Sequence, residues 1–354
     1  MPHPFFDARR YPWSREDAQA AHSAIAQAVT EPKQYRLLYE KSGGDFTKLT
    51  AQQNVADAWQ EILNLLTIAR GLKRLCELLI ADNGLAAVHN TIRAIQNAED
   101  IIPAVSGEKF VFVGRQQLRS ELPKLLGDMP THGVLLVRGP SGSGKSWTRY
   151  LVGHVARSLG EEYIYFYEGL VSSVDGVVDQ LFAFLGAPGD VPAKLETDPA
   201  WYQRVCRTLQ GIVKKKNAVC WIVADDLGLA EDGTPLLHKG IREFFDQFAQ
   251  FMIDPSFAQQ FRLVLLDYPD GEVPSKWQDF WVEDRPDEKE VAEGLLAEYL
   301  LRRAAHMKKQ IGEEKAQVLA RDVLAKADAP QSVPRPKPRL KVIHDELVGV
   351  IQKL

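Results

Sequence analysis

The chain has 354 residues, 45% of them hydrophobic and 25% charged, a composition that excludes wholesale disorder, a collagen-like repeat or a disulfide scaffold. With 43 basic against 47 acidic residues the net charge is -4, so no broad basic field exists to hold a polyanion and nucleic acid is not an expected partner. The length exceeds what one hydrophobic core usually organises, which favours at least two domains.

The first residues, Met1 to Trp13, carry Asp7, Arg9 and Arg10 where a signal peptide would need an apolar run. No apolar stretch reaches the roughly 18 residues of a membrane span, so the expectation is a cytoplasmic protein with no membrane partner. From Ser14 to about Glu99 apolar residues recur at helical spacing. Ser14 with Asp17 three positions later reads as a capping box for a first helix running to about Val29. A second helix should start near Pro32 and stop at Gly43-Gly44. A third carries Val55, Trp59, Ile62, Leu63, Leu66 and Ile68 and ends before Gly71; Leu72 to Ala81 and Leu85 to Asn97 complete a bundle of five or six short helices over 1–100.

Pro103 and Gly107 mark a boundary, after which β-rich runs alternate with helical stretches. The runs are Val134 to Val137, Tyr163 to Tyr167, Val219 to Ala224, Leu263 to Leu266 and Phe280 to Val282, with helices expected near 145–159, 173–186, 198–213 and 237–252. That order predicts an α/β domain over 108–285, a parallel sheet with crossover helices on both faces. Beyond Pro286 the pattern is helical again, with Val291, Leu295, Leu296, Tyr299 and Leu300 on one stripe of an extension over 286–328. A proline-rich linker and a terminal helix from about Leu340 fill 329–354. The three cysteines, Cys76, Cys206 and Cys220, have no paired spacing and read as buried thiols.

One segment carries chemistry. Gly139-Pro140-Ser141-Gly142-Ser143-Gly144-Lys145-Ser146 satisfies GxxxxGK[ST], follows an apolar strand and opens a helical stretch. The bare pattern arises by chance in roughly one chain of this length in a hundred. Its glycines let the backbone curl so that amide hydrogens face a phosphate, and the following helix turns its positive end to the same anion. Lys145 then reaches the β- and γ-phosphates, the Ser146 hydroxyl ligates Mg²⁺, and Trp147 completes the nucleotide-binding segment. The run Val219 to Ala224 ends in Asp225 and Asp226. Two acids after a strand also serve as a helix cap, but after such a loop they suit a metal: Asp225 in the Mg²⁺ shell, Asp226 orienting or deprotonating water, with Lys145 as its catalytic partner. The chain has no NKxD guanine reader, so ATP or ADP is the expected cofactor, with Mg²⁺.

Phe112-Val113-Gly114-Arg115, the P-loop and Asp225-Asp226 together resemble the STAND class of signal-transduction ATPases, relatives of the AAA+ proteins, over roughly Lys109 to Glu283. The resemblance implies a nucleotide-dependent switch that oligomerises. The chain departs from that class at the end of the fourth strand, where an arginine is common and Asp267 stands, and in having no GLP motif, winged helix or sensor repeats. Tyr35-Arg36-Leu37-Leu38-Tyr39, Ala58-Trp59-Gln60-Glu61-Ile62-Leu63 and Leu72 to Leu79 resemble a second family, the death-like effector-associated domains of bacterial conflict systems. That resemblance implies homotypic recruitment of an effector, often a protease, or of a sensor, in antiviral defence. The joint expectation is an ATP-binding adaptor with slow or partner-stimulated hydrolysis. Two alternatives stay open: an AAA+-like remodelling ATPase, for which Arg242 and Arg285 are the candidate arginine fingers, and a nucleotide-loaded scaffold that never hydrolyses.

Overall fold

The computed structural model describes residues 3–8, 10–13, 15–50, 54–96, 112–127, 130–167, 169–194, 198–228, 239–271, 273–307, 309–330 and 337–354. It divides into two compact units, Met1–Ala104 with Val155–Glu162, and Val105–His154 with Tyr163–Leu354.

Five helices build the first unit: α1 (Glu16–Ala28), α2 (Pro32–Lys41), α3 (Val55–Ile68), α4 (Leu72–Ala81) and α5 (Ala86–Gln96). Pro32 opens α2, where its missing N–H costs nothing. Asn54 caps α3 by accepting the Asp57 N–H at 2.8 Å. The first helix differs from the sequence expectation. Its N-cap is Arg15, which makes no side-chain cap, and Ser14 lies outside the described residues. The Asp17 carboxylate pairs with Arg15 at 2.8 Å and accepts the Ala18 N–H at 2.9 Å. Trp59 is fully buried at the centre of the bundle among Ile25, Ile62, Leu66, Leu79 and Ile92, and its indole N–H reaches the Val29 carbonyl at 3.0 Å. Gly44 must be glycine, because a Cβ there would enter the buried Tyr39 ring.

Among the described residues the second unit begins with α6 (Gln116–Glu121) and a 3-10 turn (Leu122–Leu125), then alternates: β1 (Val134–Val137), α7 (Thr148–Ser158), β2 (Glu162–Phe166), α8 (Val174–Phe184), α9 (Asp198–Lys215), β3 (Cys220–Ala224), α10 (Lys239–Phe251), α11 (Pro255–Ala258), β4 (Phe261–Leu266) and β5 (Trp281–Asp284), except that the end of α7 and the first residue of β2 fall in the Val155–Glu162 stretch of the first unit. The strands lie in the order β2-β3-β4-β1-β5, with β1 parallel to both β4 and β5 and β3 parallel to β4. Every residue of β1, β3 and β4 is buried, as a sheet covered on both faces requires. Val134, Leu136, Ile222, Ala224, Leu263 and Leu265 join the side chains of α8, α9 and α10 in one core. Leu135, Val137, Val223, Val264 and Leu266, the alternate residues of the same strands, point to the other face and are buried there. Two expected elements shift. The fifth strand starts at Trp281 rather than Phe280 and runs on to Asp284, and the stretch expected to be helical from 145 opens as a 3-10 turn, Lys145–Trp147.

Three helices follow, α12 (Glu293–His306), α13 (Glu313–Asp328) and α14 (Arg339–Lys353). Val291 precedes the first of them rather than lying on it, but still joins their core with Leu296, Leu300, Ala320, Val323 and Leu347. The proline-rich linker falls mostly outside the described residues. The basic residues around it are committed within the fold: Lys337 and Lys341 pair with Asp345 at 3.1 and 2.8 Å, and Arg339 pairs with Asp328 at 2.6 Å. All three cysteines are buried, and none of them forms a disulfide.

Candidate functional site

In an open parallel sheet ligands bind beyond the carboxyl ends of the strands. Here those ends carry the Gly139–Ser146 loop after β1, Asp225 after β3, Asp267 after β4 and Asp284 at the close of β5. The register sets them level, since Val137 pairs with both Leu266 and Asp284.

The loop curls through two left-handed glycines, Gly142 at φ 79° and Gly144 at φ 89°, a conformation in which side chains are strained. Pro140, Ser141 and Gly142 are exposed at its rim, Gly139, Gly144, Ser146 and Trp147 are half-buried, and Ser143 and Lys145 are buried. Lys145 turns back into the loop. Its ammonium donates to the Gly139 and Pro140 carbonyls at 2.7 Å each and pairs with Asp267 at 3.1 Å. The Ser143 hydroxyl is buried without a hydrogen-bond partner, an unsatisfied polar group inside the loop.

Asp225 is 2% exposed. One of its oxygens accepts from the Tyr165 hydroxyl at 2.8 Å, the other from the Asp226 N–H at 2.9 Å, and the Ser146 hydroxyl also reaches the carboxylate. Burial pushes its carboxyl above the usual carboxylate range, against the pull of these hydrogen bonds, so an arriving cation would stabilise the ionised form. Asp226 sits beside it with a left-handed backbone, φ 60°. The structure thus brings Ser146 and Asp225 together, as two ligands of one cation must be. Among the described residues no group of three His, Cys, Asp or Glu is placed to hold a metal ion.

Arg115 has a role that the sequence motif alone did not disclose. Its backbone is left-handed at φ 60°, and its guanidinium donates to the Gly144 carbonyl at 3.0 Å, to the buried Thr148 hydroxyl at 2.8 Å and to Asp284. One side chain therefore ties the loop, the start of α7 and the end of β5. Arg138, just before the loop, is 4% exposed, stacks over Tyr268 and lies 3.5 Å from Glu283. Two further residues went unread in the sequence. Tyr165 was legible only as one of the alternating tyrosines of β2. Arg149, one turn after Lys145, stacks over the Tyr165 ring at 4.6 Å and donates to its hydroxyl.

Beside Gly144 and Trp147 lies a narrow apolar slot of about 40 Å³, walled by Val113, Val291, Leu340 and Ile343. That volume is room for no more than a few water molecules. The His344 ring meets Trp147 edge-on at 4.4 Å, and Pro338 and Leu340 cover Gly142 and Gly144. The arginines weighed as fingers are both engaged within the chain, Arg242 with Asp246 at 4.0 Å and Arg285 with Glu283 at 2.9 Å and Asp270 at 3.0 Å.

A parallel sheet in this order, with GxxxxGKS after its first strand and buried acid after its third, is the fold of a P-loop NTPase. No family profile matches the chain, and no curated protein matches it. Among solved structures it is similar to Cdc6p from Pyrobaculum aerophilum, at 19% identity and TM-score 0.39 over 68% of this chain and 62% of that one. It is also similar to RuvB from Thermotoga maritima, at 18% identity and TM-score 0.33 over 66% and 61%, and to PCH-2 of C. elegans, at 10% identity and TM-score 0.27 over 62% and 61%. The chain spans about three fifths of the length of each. Among the described residues no helix is long and apolar enough to cross a membrane.

Proposed function

We propose that the chain is an ATP-binding switch, in which the second unit binds and slowly hydrolyses ATP and the first recruits an effector. The observation that carries the nucleotide reading is the loop itself, whose buried Ser143 hydroxyl and Lys145 ammonium lie beside a Ser146–Asp225 pair suited to Mg²⁺. Gly139 to Trp147 would hold the phosphates, Ser146 and Asp225 the metal, and Asp226 the attacking water. The slot beside Trp147 is apolar, as the face of a purine requires, and must widen to take one. The recruitment reading rests on the effector-associated resemblance of the first unit and is supported by its separate core and by exposed Leu37, Phe46 and Ile68. Action in bacterial defence, and nucleotide-dependent assembly, belong to the same proposal.

One experiment addresses both halves. Lys145→Ala should weaken ADP and ATP binding about a hundredfold in calorimetry, the loss of one or two charge-assisted hydrogen bonds. The full-length wild-type chain, used as bait in its native cell extract, should retain a protein carrying a similar helical bundle in a nucleotide-dependent way, and the variant should lose that dependence. Undiminished nucleotide binding by Lys145→Ala would refute the site assignment.

A further inference from the structure

Asp267 stands at the carboxyl end of β4 and is not used in the chemistry above. Its Oδ1 lies 3.1 Å from the Lys145 ammonium, the group a P-loop extends to the outer phosphates. Its backbone is left-handed, φ 56°, a conformation uncommon outside glycine that recurs where the surroundings hold a residue to a task. The far side of the carboxylate rests against Gly228, three residues past Asp225, where a Cβ would collide with it. Three segments of chain thus converge to hold one carboxylate on the loop lysine.

The geometry points to Asp267 as a specificity-determining residue that counts phosphates by charge, an inference resting on the nucleotide-binding reading. A β-phosphate sits within the nest of loop amides, whereas a third phosphate gripped by Lys145 comes within a few ångströms of the Asp267 carboxylate. At such a distance inside a partly buried site two negative charges repel strongly. The carboxylate also stands in for phosphate on Lys145, so any nucleotide must displace an existing ion pair. The wild-type chain therefore favours a nucleoside diphosphate over the triphosphate of the same base.

The test measures ADP and ATP affinity by calorimetry, with and without Mg²⁺, for the wild type, Asp267→Asn and Asp267→Ala. The asparagine keeps the shape and removes the charge, and the alanine removes the carboxylate altogether. Both should raise ATP affinity about tenfold while moving ADP affinity two- to threefold, so that the ratio shifts toward ATP. An unchanged ratio overturns the proposal. So does a fall in ATP affinity confined to Mg²⁺, which would make Asp267 a metal-shell residue. A wild-type chain that binds neither nucleotide refutes the nucleotide-binding reading as well, and is told apart by that common loss.

Discussion

Tyr165 reaches across from β2 to hold one oxygen of Asp225, and Arg149 on α7 fixes the Tyr165 hydroxyl in turn. A carboxylate whose two oxygens are both engaged presents its remaining lone pairs in one direction, which is what a metal ligand needs. Tyr165→Phe should therefore raise the Mg²⁺ concentration that half-supports ATP binding by about tenfold, while leaving metal-free ADP binding within twofold. A titration in which the midpoint does not move would show that the hydroxyl merely fills space. Lys145, Ser146 and Asp225 were legible in the sequence because phosphate chemistry fixes both residue type and spacing within a single loop and strand end. Tyr165, Arg149 and the tie from Arg115 to Asp284 were not, because each is a pairing between distant segments that depends on strand order, and strand order is not written in local periodicity. Asp267 was visible as an acid where an arginine is common, and only the fold shows that it faces Lys145.

At the scale of elements, helices with a clean apolar stripe were read well, and α3 and α4 begin and end where the spacing and the following glycine or asparagine place them. The expected Ser14–Asp17 capping box falls on Ser14, outside the described residues; within them Asp17 pairs with Arg15, a contact the spacing does not report. The terminal helix was anticipated, but not its placement over the loop glycines. Asp345 orders the part of α14 that meets the loop, tying His344, whose ring touches Trp147, to Lys341 and to Lys337 beside Pro338. Partial burial would raise its carboxyl, but hydrogen bonds from Lys341, His344 and Lys337 hold it down at about 2. Because the folded value lies below the unfolded one, its contribution is complete above about pH 4 and is lost as pH falls through 2. Between those limits α14 should loosen from Trp147, read as the difference in fluorescence between the wild type and Trp147→Phe. In Asp345→Asn the signal should already be that of the loosened helix at neutral pH, and a wild-type signal there would remove Asp345 from the role.

Among the described residues the two units have apolar centres that share no residue, one around Trp59 in the first unit and, in the second, one between the sheet and α8, α9 and α10 and another among α12, α13 and α14. The length alone favours more than one domain, and the switch from helical to alternating texture near Pro103 sets the expected change there, since each periodicity reports the kind of layer it must pack against. Separate cores allow separate melting, and a ligand stabilises only the unit that holds it. The loop, Asp225 and the apolar slot all lie in the second unit. Differential scanning calorimetry should therefore show two transitions. ADP at a hundred times its dissociation constant adds about 2.7 kcal/mol to the state that binds it. For a unit of this size that raises its midpoint by about 5–10 °C and leaves the other transition in place. Trp59→Ala should do the converse, lowering the first unit's midpoint through a core cavity worth about 3–5 kcal/mol while the ADP-induced shift of the second persists. A single transition that ADP moves as a whole would instead mean that the two cores unfold together, and a switch built on them would have to signal through that coupling rather than through the recruitment unit alone.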